Sequence, residues 1–266
     1  MYTEMLDLVM IFIGFMGSFF SGLLGIGGAI INYPLLLFVP SSLQLADFSG
    51  QQVSSISMFQ VFFASLSGVL AYRKKKEPEA ASLIHRGLVI YMGSSILIGS
   101  LLGGFVSKIL TGETINIIYG VLAVIAVVLM LLPNRGSEQV RSEDIHFNKT
   151  VAVSSAFIVG IVSGIVGAGG AFILIPIMLS VLKVPTRTTI VSSLAIVFIS
   201  AIGGVIGKAA AGHTPYIPTL FTVIGSLLGA PIGSKVSSRL NVKFLRYGLV
   251  ALITLTAVKI WLSIFE

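Results

Sequence analysis

Gly22-Leu-Leu-Gly25-Ile-Gly27-Gly28-Ala29, closed by Pro34, returns later in the chain as Gly164-Ile-Val-Gly167-Ala-Gly169-Gly170-Ala171, closed by Pro176. The spacing from first glycine to proline is the same in both. Each copy sits inside a long run without charge, and the first such run extends from Leu8 to Ala46. A single straight crossing of a bilayer needs only about 20 apolar residues. Runs of 31 to 33 residues (8–38 and 150–182) are too long for one crossing and short for two. Glycine lacks a Cβ and proline lacks an N–H, so each motif is a place where a helix breaks and the chain turns back. The expectation is a helical hairpin at the head of each of two related halves.

Other echoes keep the same order. Ser57 precedes Gly68 by eleven residues and Ser193 precedes Gly204 by eleven; Gly99-Ser-Leu-Leu-Gly103 returns as Gly225-Ser-Leu-Leu-Gly229, and Tyr119-Gly120 as Tyr247-Gly248. Residues 1–134 and 149–266 therefore read as duplicated transmembrane repeats, joined by a polar cytoplasmic linker at 135–148. Each repeat comprises a glycine-broken hairpin plus three crossing helices. The fold class expected is an all-α polytopic membrane protein.

Composition supports lipid as the main solvent. The 266 residues are 55% hydrophobic and 10% charged, against roughly a quarter charged in soluble domains. Orientation follows from Lys and Arg, which favour cytoplasmic loops. If each motif-bearing run crossed once, the 17 positive residues would divide ten against seven; if each turns back, they divide fourteen against three. The second arrangement inverts one half relative to the other, places both termini outside, and accounts for the +7 net charge without a nucleic-acid partner. Glu4 and Asp7 give the N-terminus an acidic flank, unlike a cleaved signal peptide.

Inverted repeats place substrate at interrupted helices near the midplane. A half-helix beginning after each glycine pair would aim backbone N–H groups and a positive dipole end at the membrane centre, which suits an anion. The candidate substrate-binding residues are Gly25, Gly27, Gly28, Ala29 and Asn32 in the first half and Gly167, Gly169, Gly170 and Ala171 in the second. Hydroxyl donors are expected from Ser54 and Ser57, matched by Ser192 and Ser193. Asn32 faces Leu174 in the alignment of the halves, so its role is one-sided. The series Gly99-Gly103-Ser107 and Gly225-Gly229-Gly233 reads as close helix packing. Lys208, Lys259, Lys108 and Arg187 fall near span ends and read as anchors whose long side chains snorkel to the headgroups.

Enzymatic chemistry is not expected. There are no cysteines, the three histidines are scattered, no acidic pair has metal-ligand spacing, and nothing is placed to activate Ser163. No cofactor or metal is expected. All ten acidic residues fall outside the span interiors, so no carboxylate relay is available for protons and the membrane potential is the expected drive for an anion.

The combination of GLLGIGGAIINYP and GIVSGIVGAGGAFILIPIM, each followed by a serine-containing helix and a Gly-Ser-rich helix, resembles the sulfite exporter TauE/SafE family of membrane permeases. The resemblance covers essentially the whole chain. It implies a permease of the bacterial inner (cytoplasmic) membrane for sulfur-containing anions such as sulfite or organosulfonates, as exporter or facilitator, with import as the alternative direction. The partners implied are a small anionic substrate and the lipid bilayer.

Overall fold

The structure is a computed structural model. It describes residues 2–24, 29–74, 84–131 and 147–237, together with 247, 248, 251, 254, 255, 257–259, 261 and 262. Every regular element among them is a helix: α1 (Tyr2–Leu24), α2 (Ala29–Ser42), α3 (Gly50–Lys74), α4 (Arg86–Val106), α5 (Gly112–Leu131), α6 (Lys149–Val166), α7 (Ala171–Pro176), α8 (Thr186–Ala211) and α9 (Tyr216–Ser237). Six of these, α1, α3, α4, α6, α8 and α9, are long and apolar enough to cross a membrane. The linker residues 135–146 and the glycines Gly25, Gly27 and Gly28 lie outside the described residues.

Local chemistry sets the boundaries. Asn148 caps α6 by accepting from the N–H groups of Thr150 and Val151, satisfying donors that have no acceptor within the helix. Gly167, in the left-handed region at φ +79°, ends it. Gly169 and Gly170 are left-handed too, at φ +64° and +81°, so three glycines do what other residues would do only under strain. The chain then starts α7 at Ala171, as the motif predicts. Pro176 ends the regular ladder, and a π-helical turn follows at Ile177–Val181, closed by Leu182 N–H donating to Ile177 O at 2.9 Å.

The packing between the halves is reciprocal. α1 packs along α9, while α4 packs along α6, so the first helix of each half lies on the fourth helix of the other. Small residues make both contacts. Gly225, Gly229 and Gly233 sit against the carbonyls of Ile11, Phe15 and Phe19, and Gly99 and Gly103 sit against those of Phe157 and Ile161. Residue numbers rise together in each pair, so the paired helices are parallel. The close-packing expectation for both glycine series holds.

At the centre, α3 crosses α8 in the opposite sense. Met58 meets Gly204, Leu194 meets Gly68, and between them the rings of Phe62 and Phe198 stack with centroids 5.4 Å apart. Each contact is the mate of another under the repeat that pairs Ser57 with Ser193. The large apolar side chains left exposed, among them Ile98, Ile109, Ile117, Ile158, Leu220 and Leu228, are the surface that lipid covers.

Candidate functional site

Helices α1, α2 and α3 enclose a group of polar side chains in an otherwise apolar interior. Ser18 and Ser21 lie one turn apart on α1, Ser57 and Gln60 one turn apart on α3, and Asn32 lies in the first turn of α2. All five are buried, Asn32 completely. The α2 amide fits because Gly17 of α1 has no side chain: a Cβ there would overlap the Asn32 carboxamide. Gln60 Nε2 donates to Ser18 Oγ at 2.6 Å. Both polar atoms of Asn32, the hydroxyls of Ser21 and Ser57, and Gln60 Oε1 have no partner among the described residues.

Unpaired buried serines are weak signals, since a hydroxyl can turn toward its own helix; Ser55, Ser100 and Ser200 are further examples. An amide with both ends unpaired is different. Each such group costs about 1–3 kcal/mol, and lipid offers no replacement for water. The second half lacks the equivalent, with Leu174 in the place of Asn32 and Ile196 in the place of Gln60, both buried. The one-sidedness expected of Asn32 is therefore carried by a whole cluster. Gln60 is an amide that the sequence already sets near the serines of α3, whereas Ser18 and Ser21 were not expected as site residues; their only sequence signal is polar spacing of three inside an apolar run.

The second break is built differently. Ser163 O accepts the N–H groups of Gly167 at 2.8 Å and Ala168 at 3.0 Å, and Gly170 O accepts those of Ile173 and Leu174. Ala171 and Phe172 open α7, so their N–H groups have no acceptor within it. The surroundings are apolar: Gly169 is flanked by Val61 and Val197, and Gly170 by Val159 and Ile96, with Ser163 Oγ the polar neighbour. That hydroxyl donates to Gly160 O at 3.1 Å.

The expected serine donors divide. Ser57 is unpaired. Ser54 Oγ instead donates to Ile165 O at 2.7 Å, Ser193 Oγ to Ile190 O of its own helix at 3.0 Å, and Ser192 Oγ accepts the backbone N–H of His85 at 3.1 Å. Ser54, Ser192 and Ser193 are thus engaged in holding helices, because a hydroxyl in an apolar interior takes the nearest carbonyl.

Lys208 requires correction. It does not snorkel: the residue is 1% exposed, and its ammonium donates to Ile165 O at 2.6 Å. Gly207 beside it packs on Gly104 of α4, so α8 is in close helix contact at this level. Lys108 and Lys259 are exposed as expected, Lys259 lying over the Phe38 ring at 4.9 Å. Next to Asn32, Tyr33 stacks on Tyr119 with centroids 4.4 Å apart and donates to Asn116 Oδ1 at 2.7 Å, which fixes the first turns of α2.

Residues 10–260 match the sequence profile of the family described as Sulfite exporter TauE/SafE. The chain is similar to the probable membrane transporter protein YunE of Bacillus subtilis, at 25% identity covering 88% of this chain and 90% of the relative. It is similar to a probable membrane transporter protein of Methanocaldococcus jannaschii, at 24% over 90% and 89%, and to YdhB of Bacillus subtilis, at 26% over 86% and 89%. No solved structure matches it. With a match spanning nearly its full length and six membrane-length apolar helices, the chain belongs to the sulfite exporter TauE/SafE family of membrane transporters.

Proposed function

We propose that the chain carries small sulfur-containing anions, such as sulfite or organosulfonates, out of the cell through the cytoplasmic membrane, and that the polar cluster around Asn32 holds the cargo. The observation carrying this reading is the pair of amide atoms on Asn32 that are buried and unpaired among the described residues, packed on Gly17 next to the Ser18 that Gln60 meets. Amide N–H and hydroxyl groups donate to oxyanion oxygens, and the amide oxygens accept from a protonated or hydrated oxyanion. The N-terminal end of the 14-residue α2 adds its partial positive charge. Gly25, Gly27, Gly28 and Ala29, immediately before and at the start of that helix, would supply backbone N–H groups. Gly167, Gly169, Gly170 and Ala171 would form the second, apolar wall of the path.

The halves 1–134 and 149–266 are read as inverted, with both termini outside. The opposed directions of α3 and α8, equivalent helices of the two halves, support this. So does the exchange of α1 and α6 between α9 and α4. Rocking one half against the other about the α3–α8 crossing would expose the site to each side in turn. Equilibrium binding of sulfite, thiosulfate, sulfoacetate and taurine to the purified protein tests the cargo. Sulfite or a sulfonate should bind and be released into proteoliposome assays as flux; a protein that binds none of the four removes the anion reading.

A further inference from the structure

Lys208 is the one charged side chain buried among the described residues, and the site around Asn32 does not use it. It lies three residues before the end of α8, where the antiparallel α3 brings Ser54 to the same level. Lys208 Nζ and Ser54 Oγ donate to the same oxygen, Ile165 O, at 2.6 and 2.7 Å. Ile165 is the penultimate residue of α6, two residues before the left-handed Gly167. A helix C-terminus carries roughly half a negative charge. The ammonium carries a whole positive one, and an ammonium has three N–H groups for the single carbonyl it meets.

Among the described residues no carboxylate completes the balance. The described acidic residues are Glu4, Asp7, Asp47 and Glu113, and none is buried. A buried ammonium without a carboxylate is the complement of a small anion. From Ser54 the face of α3 continues through Ser57 to Gln60, six residues or about 9 Å along the helix. That distance links Lys208 to the Asn32 cluster by hydroxyls one turn apart.

We infer that Lys208 and Ser54 form a second anion station, at the C-terminal end of α6, where a small oxyanion pairs with the ammonium on its way to or from the Asn32 cluster. The inference rests on the reading that the cargo is an anion. Its charge neutralises Lys208, and Ile165 O receives the ammonium when the anion leaves. A residue that only capped α6 would affect stability and not affinity.

The test uses the full-length protein in detergent, with sulfite as probe, and reads both melting temperature and dissociation constant. Lys208→Gln keeps an N–H for Ile165 O and removes the charge; sulfite affinity should fall at least tenfold. Ser54→Asp places a carboxylate beside the ammonium of the native lysine, giving it an internal partner, and should abolish sulfite binding in a protein that melts no lower than wild type. Wild-type affinity in folded Lys208→Gln, or in Ser54→Asp where Lys208→Gln fails to fold, overturns the inference. Loss of binding in Asn32→Leu with none in Lys208→Gln removes the Lys208 station alone. Absence of binding in the wild type removes the anion reading and the station with it.

Discussion

Replacing Asn32 by leucine separates the cost of the site from its use. The asparagine is completely buried, and neither its oxygen nor its nitrogen has a partner among the described residues. An unpaired buried polar group costs about 1–3 kcal/mol. Leucine removes that cost, and the second half already accommodates buried Leu174 at the corresponding position. In the absence of ligand, Asn32→Leu should therefore be more stable than wild type by about 1–3 kcal/mol. At roughly 2–4 °C per kcal/mol for chains near this length, the melting temperature should rise by a few degrees in detergent. With ligand the sign reverses. Losing one hydrogen bond to a charged group forfeits about 1.5–3 kcal/mol, or about 10- to 100-fold in dissociation constant. Ligand-free melts and equilibrium binding of sulfite on the same preparation read both effects. A variant that melts lower than wild type, or binds sulfite with unchanged affinity, refutes the assignment of Asn32 to the cargo.

Other outcomes follow from the packing and the loops. Gly103→Ala and Gly229→Ala each drive a methyl into a backbone carbonyl, Ile161 O and Phe15 O respectively, so the helices must separate. Both should lower the melting temperature more than Gly212→Ala, whose Cβ would meet nothing within 4 Å and which bears only the left-handed backbone cost of about 1–2 kcal/mol; equal effects would refute the ladder. His85 caps α4 by accepting the Leu88 N–H on Nδ1 at 3.1 Å, and desolvation by partial burial holds its pKa below the usual 6.5. The cap is intact above pH 6.5 and is lost as pH falls through the lowered pKa, because protonation turns the acceptor into a donor. Melting should thus drop on acidification below pH 6.5, and His85→Ala, about 1 kcal/mol less stable at neutral pH, should lose that part of the pH dependence. In this cysteine-free chain, Lys75→Cys and Lys183→Cys should react with an impermeant thiol reagent from the same side of the membrane; labelling from opposite sides refutes the inversion of the halves.

The fold was legible where glycine spacing carries it. A break after Gly169-Gly170 and close contact along Gly99-Gly103 and Gly225-Gly229 follow from the absence of a Cβ, which is a property of the residue and needs no tertiary knowledge. The partners of those glycines were not legible, because nothing in α1 states that it packs on α9 and not on its neighbour α2. Lys208 was misread for the same reason. Its distance from a span end suggests snorkelling, but the carbonyl that takes its ammonium, Ile165 O, lies in another helix. Asn32 could be singled out as polar in an apolar run and Gln60 as an amide near the serines of α3, while Ser18 acquires meaning only once α1 brings it to Gln60. That Ser54 meets Ile165 O was not legible either, because the partner is set by where α6 ends.

The reciprocal grip of α1 by α9 and of α6 by α4 also sets an order in time. α1 ends at Leu24 and its main partner begins at Tyr216, roughly 190 residues later in synthesis. At about 5–20 residues per second, the first helix waits on the order of 10–40 s in the membrane before its glycine-lined seam can close. α6 meets no such delay, because α4 precedes it. The amino-terminal helix therefore closes its seam only after most of the chain has been made, whereas the α4–α6 seam can close as soon as α6 is inserted.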